Sequence, residues 1–193
     1  MTVPTVRDAT PEDAGTVAEI FNAGIDARTA TFETEHRTAD AMAERIASTS
    51  PRHAFLVAEL GGVVVGWAAT YPYSARAVYD GVAEYSIYVA PDAHGRGVGS
   101  ALLGALLDRA RTAGLHKVTS RVFPENAASL ALAARHGFEV VGTHRSHAQL
   151  DGVWRDVVTV EVLLLEEDAP RVGRPAAGTA GRTGARAPGT ARS

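Results

Sequence analysis

Apolar positions along this chain recur with two periods, and the alternation between them predicts the elements. Val3 to Arg7 reads as a short strand. Thr10-Pro11-Glu12-Asp13 then predicts a helix start, with Thr as N-cap, Pro at the first helical position and acids in the first turn. Val17, Ile20, Phe21, Gly24 and Ile25 give that helix one face. Thr38 is placed to cap a second helix with Met42 and Ile46 turned inward. Ala54 to Leu60 and Val63 to Thr70 are apolar runs joined by Gly61-Gly62, the two-residue hairpin signal. Tyr71 to Val82 is polar-aromatic and irregular, and predicts a loop. Tyr85, Ile87 and Val89 then alternate with Ser86 and Tyr88 as a pleated strand does, with Glu84 just before it. Leu102, Leu103, Leu106, Leu107 and Ala110 mark one face of a longer helix that Gly114 closes. His116 to Phe123 predicts a strand, Ser129 to His136 a helix stopped by Gly137, and Phe138 to Gly142 and Arg155 to Leu165 the last two strands.

Composition narrows the classes. The chain has 193 residues, 46% of them apolar, enough for one domain with a real core. We place that domain at residues 1–166. Residues 167–193 are almost entirely Ala, Gly, Pro, Arg and Thr, have little to bury, and are expected to be disordered. The net charge of −3 argues against general nucleic-acid or anionic-membrane binding. There is no cysteine, so disulfides and thiolate nucleophiles are excluded. No secretory signal and no membrane span is visible, and a cytoplasmic location is expected.

The chemistry concentrates between Glu84 and Leu103, E-Y-S-I-Y-V-A-P-D-A-H-G-R-G-V-G-S-A-L-L. A carboxylate on a strand is followed by a glycine loop and a helix. Gly95, Gly97 and Gly99 permit close backbone approach and φ > 0, and a helix N-terminus after them favours a phosphate or pyrophosphate. A Walker-type loop would need a lysine after the glycines, and none follows. A dinucleotide fingerprint fits poorly, because Pro91-Asp92-Ala93 separates strand from glycines and the third glycine is one residue early.

H-G-R-G-V-G, residues 94–99, resembles the Q/R-x-x-G-x-G/A signature of the GNAT superfamily of N-acetyltransferases. The resemblance extends to the phosphinothricin/methionine sulfoximine acetyltransferase group. It is carried by V-R-D-A-T-P-E-D at the start, T-F-E-T-E at Thr31 to Glu35, and R-A-V-Y-D-G-V-A-E-Y-S-I-Y-V-A-P at Arg76 to Pro91. N-A-A-S-L-A-L-A-A-R-H-G-F at Asn126 to Phe138 and G-V-W-R-D-V at Gly152 to Val157 complete the ordered set. His94 stands where Gln or Arg is usual, and Ala133 where the phosphinothricin enzymes carry a histidine. The resemblance implies an α/β fold of the GNAT type, a mixed, mostly antiparallel sheet flanked by helices. It also implies acetyl-CoA as co-substrate, a small amino-acid-like amine as acceptor, and a homodimer.

Glu84 is the candidate general base for the acceptor ammonium, directly or through water. Ile87, Tyr88 and Val89 offer backbone N–H groups to the oxyanion and the pantetheine arm. His94, Gly95, Arg96, Gly97, Val98, Gly99 and Ser100 are the candidate pyrophosphate cradle, and Asn126 and Ser129 a second contact to the arm, with helix capping the plainer role of Asn126. For the acceptor, Arg76 offers a bidentate partner to a carboxylate beside Tyr79, and Phe32, Tyr73 and Trp154 offer pocket walls, core or rim packing being their plainer roles. Tyr79, Tyr85 and Tyr88 are phenols within reach of a proton-donor role. His144 and His147, three apart on a strand, are expected to face opposite sides, so no metal site is expected. Alternatives are a non-catalytic acyl-CoA-binding regulatory domain and acetylation of polyamines or protein N-termini.

Overall fold

The computed structural model describes residues 2–164 of the chain. The segment 167–193 and the boundary at 166 lie outside the described residues. Seven strands form one sheet: β1 (Thr5–Asp8), β2 (Phe55–Leu60), β3 (Val63–Pro72), β4 (Val82–Val89), β5 (Lys117–Val122), β6 (Glu139–Leu150) and β7 (Val153–Leu163). Their order is β1-β2-β3-β4-β5-β7-β6. Only β4 and β5 pair in parallel, and only over Val82 to Glu84 against Lys117 to Thr119. Beyond that point no further pairing joins them, and the sheet opens between them.

Helices cover both faces. On one lie α1 (Ala14–Asp26) and α2 (Ala39–Ala47); on the other lie α3 (Val98–Thr112) and α4 (Ala127–Arg135). Strand alternation feeds each side. Phe55, Val57, Trp67 and Ala69 pack under α1 and α2, while Leu56, Ala58, Ala68, Ala83 and Tyr85 pack under α3 with Leu102, Leu103 and Leu106. Burying a leucine of this kind contributes about 1.5–3 kcal/mol.

The hairpin at Gly61-Gly62 forms as the sequence implies, both residues having positive φ (63° and 82°). Thr38 caps α2, accepting the Ala41 N–H at 3.2 Å, and Met42 and Ile46 are buried. The first helix departs slightly from expectation: Pro11–Asp13 forms a single 3₁₀ turn before α1 begins at Ala14. Asp13 is held there by the Arg7 guanidinium (2.7 and 2.8 Å) and the Thr10 backbone N–H (2.8 Å). The Arg7 hydrogen bonds keep its carboxyl below the usual carboxylate range, against the opposing effect of burial.

Three strand expectations need correction. Glu84 is the third residue inside β4 rather than ahead of the strand. The sixth strand does not stop at Gly142 but runs to Leu150, and the seventh starts at Val153, turned by Asp151-Gly152 with φ 50° and 78°. Irregular register between His144 and Ala148, with Ser146 at φ 48°, marks a bulge in β6. That bulge breaks the two-residue alternation, so the His144 and His147 rings lie 4.8 Å apart instead of on opposite faces.

Candidate active site

The opening between β4 and β5 is lined as two adjoining cavities of about 600 and 580 Å³. Ala30, Ile87, Tyr88, Asn126 and Ser129 line both, so the cavities meet at the split in the sheet. One contains the glycine loop, the other Glu84.

The glycine-loop cavity is built from backbone. The Ala90 N–H donates to Val65 O at 2.8 Å, which fixes the parity of β4 against β3. Tyr88 therefore turns its N–H into the sheet, while Ile87 and Val89 turn theirs toward the open side. The Val89 carbonyl on that side is met by His94 Nε2 at 3.0 Å, which latches the loop to the strand. Gly95 and Gly97 adopt φ of 72° and 81°, a region that penalises any side chain with a Cβ. Gly99 is already helical; its need is space, since a Cβ there would lie 3.2 Å from the Leu132 side chain. Ala101 is the first residue of α3 whose N–H reaches back, to Gly97 O at 3.0 Å, so Val98, Gly99 and Ser100 present free N–H groups at the helix start. Ser100 Oγ pairs with His136 Nε2 at 2.9 Å; burial, then the neighbouring Arg135 charge, lowers the His136 pKa. Arg96 is exposed and its side chain is not part of the lining, whereas Arg135 is.

The second cavity is built from side chains. Glu84 accepts from Arg121 through both oxygens, Nε to Oε1 and Nη2 to Oε2, each at 2.9 Å. Glu33 and Glu35 come from the loop between α1 and α2, and Phe32 of that loop meets Phe123 edge-on at 4.7 Å. Glu33 is paired with Arg37 at 2.5 Å; Glu35 has no cationic partner among the described residues. The loop is tied down at several points. Asn22 bonds both backbone groups of Arg37 (3.0 and 2.8 Å), Arg28 meets Asp151 (2.9 Å), and Arg155 reaches the Arg28 carbonyl (3.3 Å). Asn126 uses its whole amide locally: its oxygen takes the Ser129 N–H (3.0 Å) and its nitrogen donates to Thr29 O (3.2 Å). It caps α4 and holds the loop at the seam of the cavities.

The remaining candidates separate. Tyr88 stacks on Trp67 (4.9 Å) and points its hydroxyl at Ala30 O (3.4 Å); burial pushes its pKa up to about 12. Tyr85 packs against Phe138 in the core. Tyr73 and Tyr79 line a separate groove with Lys117 and Thr119, and Arg76 lies over the Tyr79 ring at 5.7 Å rather than in the cavity with Glu84. Trp154 is 58% exposed on β7 and lines neither cavity. Ala133, on α4, is buried in the core. Among the described residues, no group of three or more His, Asp or Glu side chains is placed to hold a metal ion. Nor is any helix there long and apolar enough to cross a membrane. The sequence reading missed Arg121 and Arg135: each is a lone arginine on a regular element, with no spacing signal to set it apart from a solvated charge.

A sheet split beside a glycine loop and a free helix start, with a carboxylate on the split strand, defines an acyl-CoA-dependent transferase. Residues 18–138 match the acetyltransferase (GNAT) family, and the chain belongs to that family. It is an acetyl-CoA-dependent N-acetyltransferase with the GNAT fold. It is 34% identical over 161 residues to an L-methionine sulfoximine/L-methionine sulfone acetyltransferase of Pseudomonas paraeruginosa, covering 82% of this chain and 94% of that protein. It is 33% identical over 152 residues to a phosphinothricin N-acetyltransferase of Streptomyces viridochromogenes, covering 79% and 83%. Among solved structures, a phosphinothricin acetyltransferase of Sinorhizobium meliloti in complex with AcCoA superimposes with a TM-score of 0.82 at 29% identity, covering 89% and 93%.

Proposed function

We propose that the protein acetylates the amine of a small amino-acid-like compound of the phosphinothricin or methionine sulfoximine type. The reaction proceeds by direct transfer in one ternary complex; a cysteinyl-acyl intermediate is excluded, because the chain has no cysteine. The observation that carries this reading is the junction of the two cavities, where Glu84 and the open N–H groups of Ile87 and Val89 belong to one strand. Glu84 takes one proton from the acceptor ammonium. The free amine attacks the thioester carbonyl, whose oxygen is met by a backbone donor of β4 as it gains charge. The C–N bond forms, the C–S bond breaks, and the second proton lost from nitrogen neutralises the departing thiolate. Val98, Gly99 and Ser100 receive the pyrophosphate on their free N–H groups. The similar methionine sulfoximine and phosphinothricin acetyltransferases support the amino-acid class.

A thiol-release assay over a panel of amines tests this, with amino-acid analogues expected above polyamines and peptide N-termini. Polyamines are disfavoured because, among the described residues lining that cavity, Glu33 and Glu84 are paired with arginines and Glu35 alone adds a carboxylate without a cationic partner. Glu84→Gln is expected to lower turnover by roughly 10²-fold or more with acetyl-CoA affinity little changed. Parental turnover would remove Glu84 from the mechanism. A cytoplasmic homodimer is part of the proposal. Exposed Val140, Val141 and Val153 on the β6–β7 hairpin support a protein contact there, and light scattering on the eluting protein measures the mass directly.

A further inference from the structure

In the acceptor cavity the proposed base, Glu84, is not free: it is held by Arg121, the only lysine or arginine among the described residues that line it. Glu84 faces Thr119 across the short parallel ladder, and Arg121 lies two residues further along β5 on the same face. There the two strands have already parted, so the guanidinium reaches back across the opening to the carboxylate. Arg121 is 56% exposed, against 25% for Glu84, and among the described residues its guanidinium has no other partner. Its engagement is a forked, two-point grip, the geometry by which a guanidinium receives any carboxylate. Arg121 being more than half exposed, its side of the pair is screened by solvent, and its grip is open to exchange for another carboxylate.

We propose that Arg121 is the acceptor-recognition residue, that it binds the carboxylate of an α-amino acid substrate, and that Glu84 occupies that position until the substrate arrives. The inference rests on Glu84 acting as the base. When Glu84 takes a proton from the ammonium it loses its negative charge, and Arg121 loses its counter-charge. A carboxylate on the acceptor restores it. An acceptor without one leaves the guanidinium gripping the group that must accept the proton. Because Glu84 and Arg121 are in direct contact, the two substrate groups they receive must also lie close together. That favours amine and carboxylate on one carbon over the same groups separated by a longer chain. Arg76, lying over Tyr79 outside this cavity, is not assigned that task.

The test is kcat/KM for the parent, Arg121→Ala, Arg121→Lys and Arg76→Ala. Each is assayed on an α-amino acid acceptor, its decarboxylated amine, and the γ-amino isomer. The parent is expected to prefer the α-amino acid by roughly 10- to 100-fold, the usual weight of a hydrogen-bonded charge pair. Arg121→Ala should collapse that preference from both sides, lowering the rate with the α-amino acid and raising it with the decarboxylated amine as Glu84 is released. Arg121→Lys should restore part of the preference, and Arg76→Ala should keep it. A general structural role for Arg121 would lower all three substrates alike, and that result overturns the inference. So does loss of the preference in Arg76→Ala instead. If Glu84→Gln retains parental turnover, the proposed base falls first, a failure readable separately because it needs no comparison between acceptors.

Discussion

The two cavities that meet at the split sheet are made of different material. The glycine-loop side is backbone: positive φ at Gly95 and Gly97, a helix start with free N–H groups, and outward N–H groups at Ile87 and Val89. The Glu84 side is side chain: Arg121 from β5, Glu33 and Glu35 from the loop after α1, and Phe32 packed on Phe123. Backbone donors bind whatever phosphate arrives and are indifferent to most substitutions that keep the chain's path. Side-chain groups discriminate, and each is open to replacement. One protein thus holds a donor site fixed by chain geometry beside an acceptor site fixed by chemistry.

The largest effect that tests this contrast belongs to Gly97. A valine there meets open space, yet it must adopt φ near 81°, which costs about 1–3 kcal/mol of backbone strain. Acetyl-CoA affinity should fall roughly tenfold or more. His94→Ala removes one hydrogen bond to Val89 O and should cost at most about tenfold. Isothermal titration with acetyl-CoA ranks the two, and the reverse order would mean the donor cradle is built from side chains after all. Asn126→Ala comes next. It removes a cap and a loop tie together, each worth about 1 kcal/mol, at a residue lining both cavities. KM should rise several-fold for both substrates, which no substitution confined to one cavity produces.

The smallest effect lies outside both sites. Asp13 is nine-tenths buried against Arg7, and its depressed carboxyl means the native state stays ionised where the unfolded chain takes up a proton. The stability from that pair is fully present above the ordinary carboxylate range and is lost as pH falls through the lowered value. Asp13→Asn should therefore lower the melting temperature at pH 7 while flattening its decline in acid. Equal slopes for parent and variant would show that the pair does not set acid stability.

The same division explains what could be read from the chain. The Gly61-Gly62 hairpin, the Thr38 cap, the glycine loop and the Glu84 strand are local, and local chemistry leaves a local pattern. Arg121 lies 37 residues from Glu84 and meets it only because a crossover through α3 lays β5 alongside β4. No spacing rule encodes that. The far half of β6 was hidden for another reason. T-H-R-S-H-A-Q is exposed on an outer strand and carries no buried alternation, although Asp151-Gly152 was a turn signal that marks its end. The His144–His147 pair depended on a bulge that alternation cannot anticipate. Tyr73 and Tyr79 are close to Glu84 in sequence but line a neighbouring groove, and Arg76 lies over the Tyr79 ring rather than in the cavity with Glu84.

The brief parallel ladder between β4 and β5, ending at Glu84 and Thr119, has an evolutionary consequence. Because the strands part so early, the residues we propose to select the acceptor hang from β5 and the α1–α2 loop, while the backbone groups we propose to hold the donor hang from β4 and α3. A lineage can exchange Glu33, Glu35 or Arg121 and explore new amines without disturbing the inherited hold on the coenzyme. Selection on substrate range and selection on catalytic competence therefore act on separate sets of codons.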